Sequence, residues 1–96
     1  MNQTPVKFIH LREVDIYRGG AIDNRGGATV AYTEQGTAFE FAVARCSWQD
    51  NFNKRLGRTK AAGRLTSPRY RHYWSGGDRD QFLAVMRARW KVGELI

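Results

Sequence analysis

Cysteine is almost absent from this sequence. Cys46 stands alone, so no internal disulfide can form, and the chain suits a reducing compartment. Histidine is scarce too: His10 and His72, far apart and with a single cysteine, match no zinc signature, and no metal is expected. No apolar run approaches the roughly 20 residues that span a bilayer. The first residues lack the charged-then-apolar pattern of a secretory signal. These absences predict a soluble, cytoplasmic protein with no membrane partner. Neither a phosphate-binding loop nor a dinucleotide fingerprint occurs, and no cofactor is expected.

Acidic residues are the remaining shortage. Nine Asp and Glu face sixteen Lys and Arg, for a net charge of +7 over 96 residues. The imbalance is local. Residues 1–44 carry four basic groups against five acidic, whereas residues 45–96 carry twelve against four. Arginine dominates the excess, and its planar fork suits phosphate and carboxylate. A positive surface keeps a protein soluble, but so steep an asymmetry in one small domain points to a polyanionic partner. The 42% apolar content supplies a core, so global disorder is not expected.

Val6 to Tyr17 reads as a strand with a bulge near His10 and Leu11. A turn-rich loop follows over 18–27. Ala28–Thr33 and Thr37–Cys46 flank Glu34-Gln35-Gly36, a hairpin turn. In the second arm Phe39, Phe41 and Val43 alternate with Ala38, Glu40, Ala42 and Ala44. One face is bulky and faces the core; the small face is either solvated or meets a second copy of the chain, which leaves room for a homodimer. Ser47 and Asp50 have capping-box form, so a helix is expected from there to about Leu65, before Pro68. Residues 69–74 alternate as a fourth strand. Asp78 with Gln81 caps a second helix whose apolar stripe is Phe82, Leu83, Met86 and Trp90, stopped by Gly93. The expected class is α+β: an antiparallel sheet of three or four strands with two helices packed on one face, in the order βββα(β)α, as one domain.

The first helix holds the most informative surface. At about 100° per residue, Lys54, Lys60 and Arg64 fall around Gly57, opposite Phe52 and Leu56. Arg58 flanks the apolar stripe of Trp48, Phe52, Leu56, Ala62 and Gly63. A mid-helix glycine costs about 1 kcal/mol relative to alanine, so Gly57 needs a reason. It either lets a phosphate backbone approach the basic face or packs under another element. Arg69 and Arg71 interleave with Tyr70 and Trp74, the pattern of cations and stacking rings used on single-stranded nucleic acid. The same alternation suits a strand with Tyr70 and Trp74 buried. Arg87 and Lys91 share a face of the second helix and extend the candidate surface. Arg18 and Arg25 each open an Arg-Gly-Gly step, which serves either phosphate binding or a loop needing permissive backbone angles.

Catalytic groups are not found. A nucleophilic Cys46 would need His10 or His72 beside it and a third residue to orient the base. Glu13 with Asp15, or Asp78 with Asp80, would be the pairs for a magnesium-dependent nuclease, but Asp78 and Asp80 already suit a helix start.

Residues Phe41 to Arg58, with Ala61-Ala62-Gly63-Arg64-Leu65, form a recognisable run. An apolar strand is followed by Cys46-Ser47, then Asp50-x-Phe52-x-Lys54-Arg55-x-Gly57-Arg58 and a closing Gly63-Arg64-Leu65. Over about residues 39–66 this resembles small uncharacterised phage and prophage proteins. The resemblance implies a phage origin and a host bacterial cytoplasm. Proteins of that size and source include host-takeover and counter-defence factors such as anti-CRISPR proteins. The expected function is a non-catalytic basic binder that occludes DNA, RNA or host nucleic-acid-handling machinery. The alternative is an inhibitor of an acidic host or immune protein.

Overall fold

A hairpin forms the centre of the computed structural model, which describes residues 5–15, 17 and 19–95. Strands β4 (Ala28–Gln35) and β5 (Ala38–Arg45) pair along their full length about the turn at Gly36. Strand β1 (Lys7–Leu11) adds to β4 and β6 (His72–Ser75) adds to β5, both antiparallel, giving the sheet order β1-β4-β5-β6. Helix α1 (Lys54–Leu65) precedes β6 and α2 (Arg79–Lys91) follows it. The class is α+β, with four antiparallel strands and two helices in the expected order. The expected long first strand stops at Leu11. Beyond it β2 (Val14–Asp15) leaves the sheet and pairs with β3 (Ala21–Ile22) as a separate ribbon.

The helices do not share a face. Val30, Tyr32, Phe39, Phe41 and Val43 pack with Phe82, Met86 and Leu95 on the α2 side, while Ala31, Ala42 and Ala44 meet Ala61 and Leu65 of α1 on the other. The sheet is therefore sandwiched between two helices, in place of the one-sided packing expected. Strand alternation explains it: each central strand offers a bulky and a small face, and both are buried. The alanine face thought open to solvent or to a second copy of the chain lies under α1, so it offers no homodimer surface.

On the α2 side Phe39 and Phe82 stack with ring centroids 4.4 Å apart and an interplanar angle of 1°. Asp78 and Gln81 make the reciprocal capping box read from the sequence. Glu34 binds Lys7 of β1 and Arg79 of α2, tying the edge strand to the helix. These hydrogen bonds, from Lys7 first and Arg79 second, hold the Glu34 carboxyl below the usual carboxylate range.

Helix α1 begins later than its Ser47 signal suggests. Asn53 is the N-cap, its side chain accepting from the Leu56 amide at 3.0 Å. Residues 46–52 are held against the preceding loop instead: Cys46 donates to the Gly27 carbonyl at 2.9 Å, Gly26 to Asp50 at 3.1 Å and Phe52 to Asn24 at 2.7 Å. Gly27 makes this possible. Its φ is +104°, and a Cβ there would lie 2.7 Å from the Leu11 carbonyl oxygen and 2.8 Å from the Phe52 ring. Of the two readings of the Arg-Gly-Gly loop, permissive backbone geometry accounts for Gly27.

Candidate polyanion-binding surface

Helix α1 meets the sheet through Gly57, Ala61 and Leu65, one residue per turn. A Cβ on Gly57 would lie 2.2 Å from the Oγ1 of Thr29, a fully buried residue of β4. Gly57 is thus the point of closest approach between helix and sheet, not the centre of an open basic face. The wheel grouped the right residues but turned them the wrong way. Leu56, expected inside, is 49% exposed, Trp48 is 74% exposed, and nothing lies near a Cβ built on Gly63. The cations grouped around Gly57 therefore flank the helix–sheet seam on its two sides.

On the β1 side, Lys54 and Arg58 are four residues apart and share a face. Below them His10 Nδ1 and Thr29 Oγ1 share a hydrogen bond of 2.9 Å. The Phe52 ring meets His10 edge-on at 5.6 Å and carries the Arg12 guanidinium 4.3 Å over its face. Arg12 also donates to the Asp23 carbonyl at 3.2 Å, while its Nε is buried without a partner. Burial lowers the His10 pKa below 6.5, and Lys54, Arg58 and Arg12 lower it further.

On the β5 side, Arg64 Nη1 donates to the Val43 carbonyl at 2.8 Å. β6 pairs only with Ala38–Phe41, so Arg64 serves β5 just past the end of its neighbour. Arg64 and Arg69 both lie over the Tyr70 ring, at 5.5 and 5.6 Å. Arg71 is half-buried with an unpartnered Nε. Lys60 is exposed at the rim of a cavity of about 160 Å³ beneath the 46–53 loop. A more open groove of about 290 Å³ lies between Thr33, Glu40 and Tyr73. Both volumes fall below the roughly 300–1,000 Å³ of small-molecule sites.

Other candidates separate from this surface. Trp74 packs against the core on the α2 side, 5.7 Å from Phe39 and 5.8 Å from Phe82, so its ring is structural. Arg87 and Lys91 are exposed on α2, across the sheet from α1, and do not extend the α1 surface. Arg25 is exposed in the loop bridged to Asn51, its amide donating to Asp23 Oδ1 at 2.9 Å. Arg18 lies outside the described residues. Sequence reasoning missed His10, Arg12 and Thr29 as members of the cluster. The signal was present: His10 alternates with the buried Ile9 and Leu11, which aims it at the opposite face.

The charge state is as informative as the placement. Among the described residues only Lys7 and Arg79 meet a carboxylate, and both share Glu34. Lys54, Arg55, Arg58, Lys60, Arg64, Arg69 and Arg71 have none. The Cys46 thiol points at the carbonyl oxygens of Ser47, Asp50 and Asn51, 3.5–3.6 Å away, and His10 is engaged with Thr29. Among the described residues no three His, Cys, Asp or Glu side chains gather as a metal site. No helix there is long and apolar enough to cross a membrane. No protein-family model, curated protein or solved structure matches the chain.

Proposed function

We propose that this protein is a non-catalytic binder of nucleic acid, taking phosphates on the cations that border α1 and on Arg69 and Arg71. The observation that carries this reading is the unpaired state of those cations. A helix seated by glycine, alanine and leucine does not need Lys54, Arg58 or Lys60 for its packing, and among the described residues no carboxylate neutralises these cations. Arg64 has a second duty on the Val43 carbonyl, so it is left out of the test.

Fluorescence anisotropy with DNA and RNA oligonucleotides tests the proposal. Affinity is expected to fall steeply with salt, by about a hundredfold between 50 and 200 mM for four phosphate contacts on duplex DNA. Lys54→Ala with Arg58→Ala is expected to lower the salt slope by about two, with stability within about 0.5 kcal/mol of wild type per site. Binding that is absent, or indifferent to salt, overturns the proposal.

The exposed Trp48 and Leu56 support a second reading, inhibition of an acidic host or immune protein of the kind the phage likeness implies. Aromatic residues with open faces are characteristic interface anchors. In that case capture of the partner survives nuclease treatment and is lost in Trp48→Ala.

A further inference from the structure

His10 sits on β1 beside Thr29, the β4 residue on which α1 packs through Gly57, with one ring nitrogen committed and the other uncommitted. Nδ1 is bonded to Thr29 Oγ1 at 2.9 Å. Nε2 makes no hydrogen bond among the described residues. The residue is only part-buried, with its ring edge-on to Phe52. From β4 it faces Thr29, and from the 46–53 loop Phe52, both uncharged. Among the described residues the charged groups that reach it are all cations, Lys54 and Arg58 from α1 and Arg12 from the end of β1, and no carboxylate opposes them. An imidazole in the field of three cations is a place where positive charge is held together at a cost, and a bound anion removes that cost.

We infer that this cluster is a proton-coupled phosphate site, in which one phosphodiester group of a bound nucleic acid accepts a hydrogen bond from His10 Nε2 beside Lys54 and Arg58. The inference rests on the nucleic-acid reading above and deepens it by naming the place and the linkage. The proton comes from solvent. In the charged ring both nitrogens donate, Nδ1–H to Thr29 Oγ1 and Nε2–H to a phosphate oxygen. Without ligand, burial first and then Lys54, Arg58 and Arg12 favour the neutral ring over the charged one. With phosphate in place the charged form gains a partner, so binding takes up a proton and tightens as pH falls. An opposite charge at contact raises a pKa by about one unit or more, which corresponds to about a tenfold gain in affinity across the titration.

His10 and His72 are the two histidines, so their ring resonances can be followed separately by NMR. The probe is an oligonucleotide with hydroxyl ends, which does not itself titrate in this range, compared with sodium sulfate and with sodium chloride at equal ionic strength. The apparent pKa of His10 is expected to rise by about one unit with oligonucleotide, and less with sulfate, while His72 stays where it was. Affinity is expected to rise as pH falls, approaching about tenfold once the pH is below the pKa of the unliganded ring, and to stay flat in His10→Gln. If the oligonucleotide binds but His10 does not move, or the variant keeps the same pH profile, the inference falls and the nucleic-acid reading stands. If sulfate raises the His10 pKa while no oligonucleotide binds, the anion site stands and the nucleic-acid reading falls.

Discussion

Phe82→Ala is expected to lose about 3–5 kcal/mol, the range for truncating a buried phenylalanine. Phe82 is fully buried and is the ring on which the α2-side core converges: it stacks on Phe39 and touches Tyr32, Phe41 and Trp74. The neighbours come from three strands, Tyr32 from β4, Phe39 and Phe41 from β5 and Trp74 from β6, so no single shift can refill the space. A domain of this size has about 5–15 kcal/mol in total, and the variant should approach the edge of folding at 37 °C. Urea denaturation reads the effect directly, and Phe82→Leu should fall between the two. A loss under about 1.5 kcal/mol would mean that the aromatic cluster is not the main core.

Gly57→Ala carries the second large effect, and its sign is the diagnostic. An exposed mid-helix glycine gains about 1 kcal/mol on replacement by alanine. Here the new methyl would meet Thr29 Oγ1 at 2.2 Å and Thr29 Cβ at 3.1 Å. Thr29 belongs to a central strand buried on both sides, so it cannot step back, and overpacking of this kind costs about 1–3 kcal/mol. Net destabilisation is therefore expected despite the better helix former. Displacing Thr29 would also disturb the bond that orients His10. Thr29→Ala in the Gly57→Ala background removes the nearest atom and should recover part of the loss. Thermal denaturation of the four proteins in that cycle decides the matter. A stabilised Gly57→Ala would mean that the helix is turned outward at this point.

The sequence made the local parts legible. The β4–β5 hairpin follows from alternation and one turn, and α2 from a capping box, an apolar stripe and a terminal glycine. Each signal lies within a few residues. Helix α1 was harder because its buried side is the least hydrophobic-looking one. Gly57 and Ala61 face the sheet, while Leu56 and Trp48, the residues that a hydropathy count places inside, face solvent. What selects the face is the small-residue side of β4 and β5, and that complementarity appears only when distant segments are brought together. The start of α1 failed for a related reason. Ser47 and Asn53 are both good caps, and the choice between them is made by bonds from residues 46–52 to the loop at 24–27. The charge excess was plain from composition. Its division between the two flanks of α1, and the enlistment of Arg64 as a partner for β5, were not.

The unequal thickness of the two helix–sheet layers has a consequence for motion. α2 is fastened by aromatic rings and Met86, whereas α1 rests on alanines through Gly57, Ala61 and Leu65. At about 25 cal/mol per Å² of apolar area, the second attachment is the weaker. In native-state hydrogen exchange, α1 amides should open together and ahead of those in α2 and β5, without the whole domain unfolding. Added polyanion should slow them selectively, because a ligand gripping Lys54 and Arg58 holds the helix down. Ligand occupancy would then be readable in the exchange clock of a single helix.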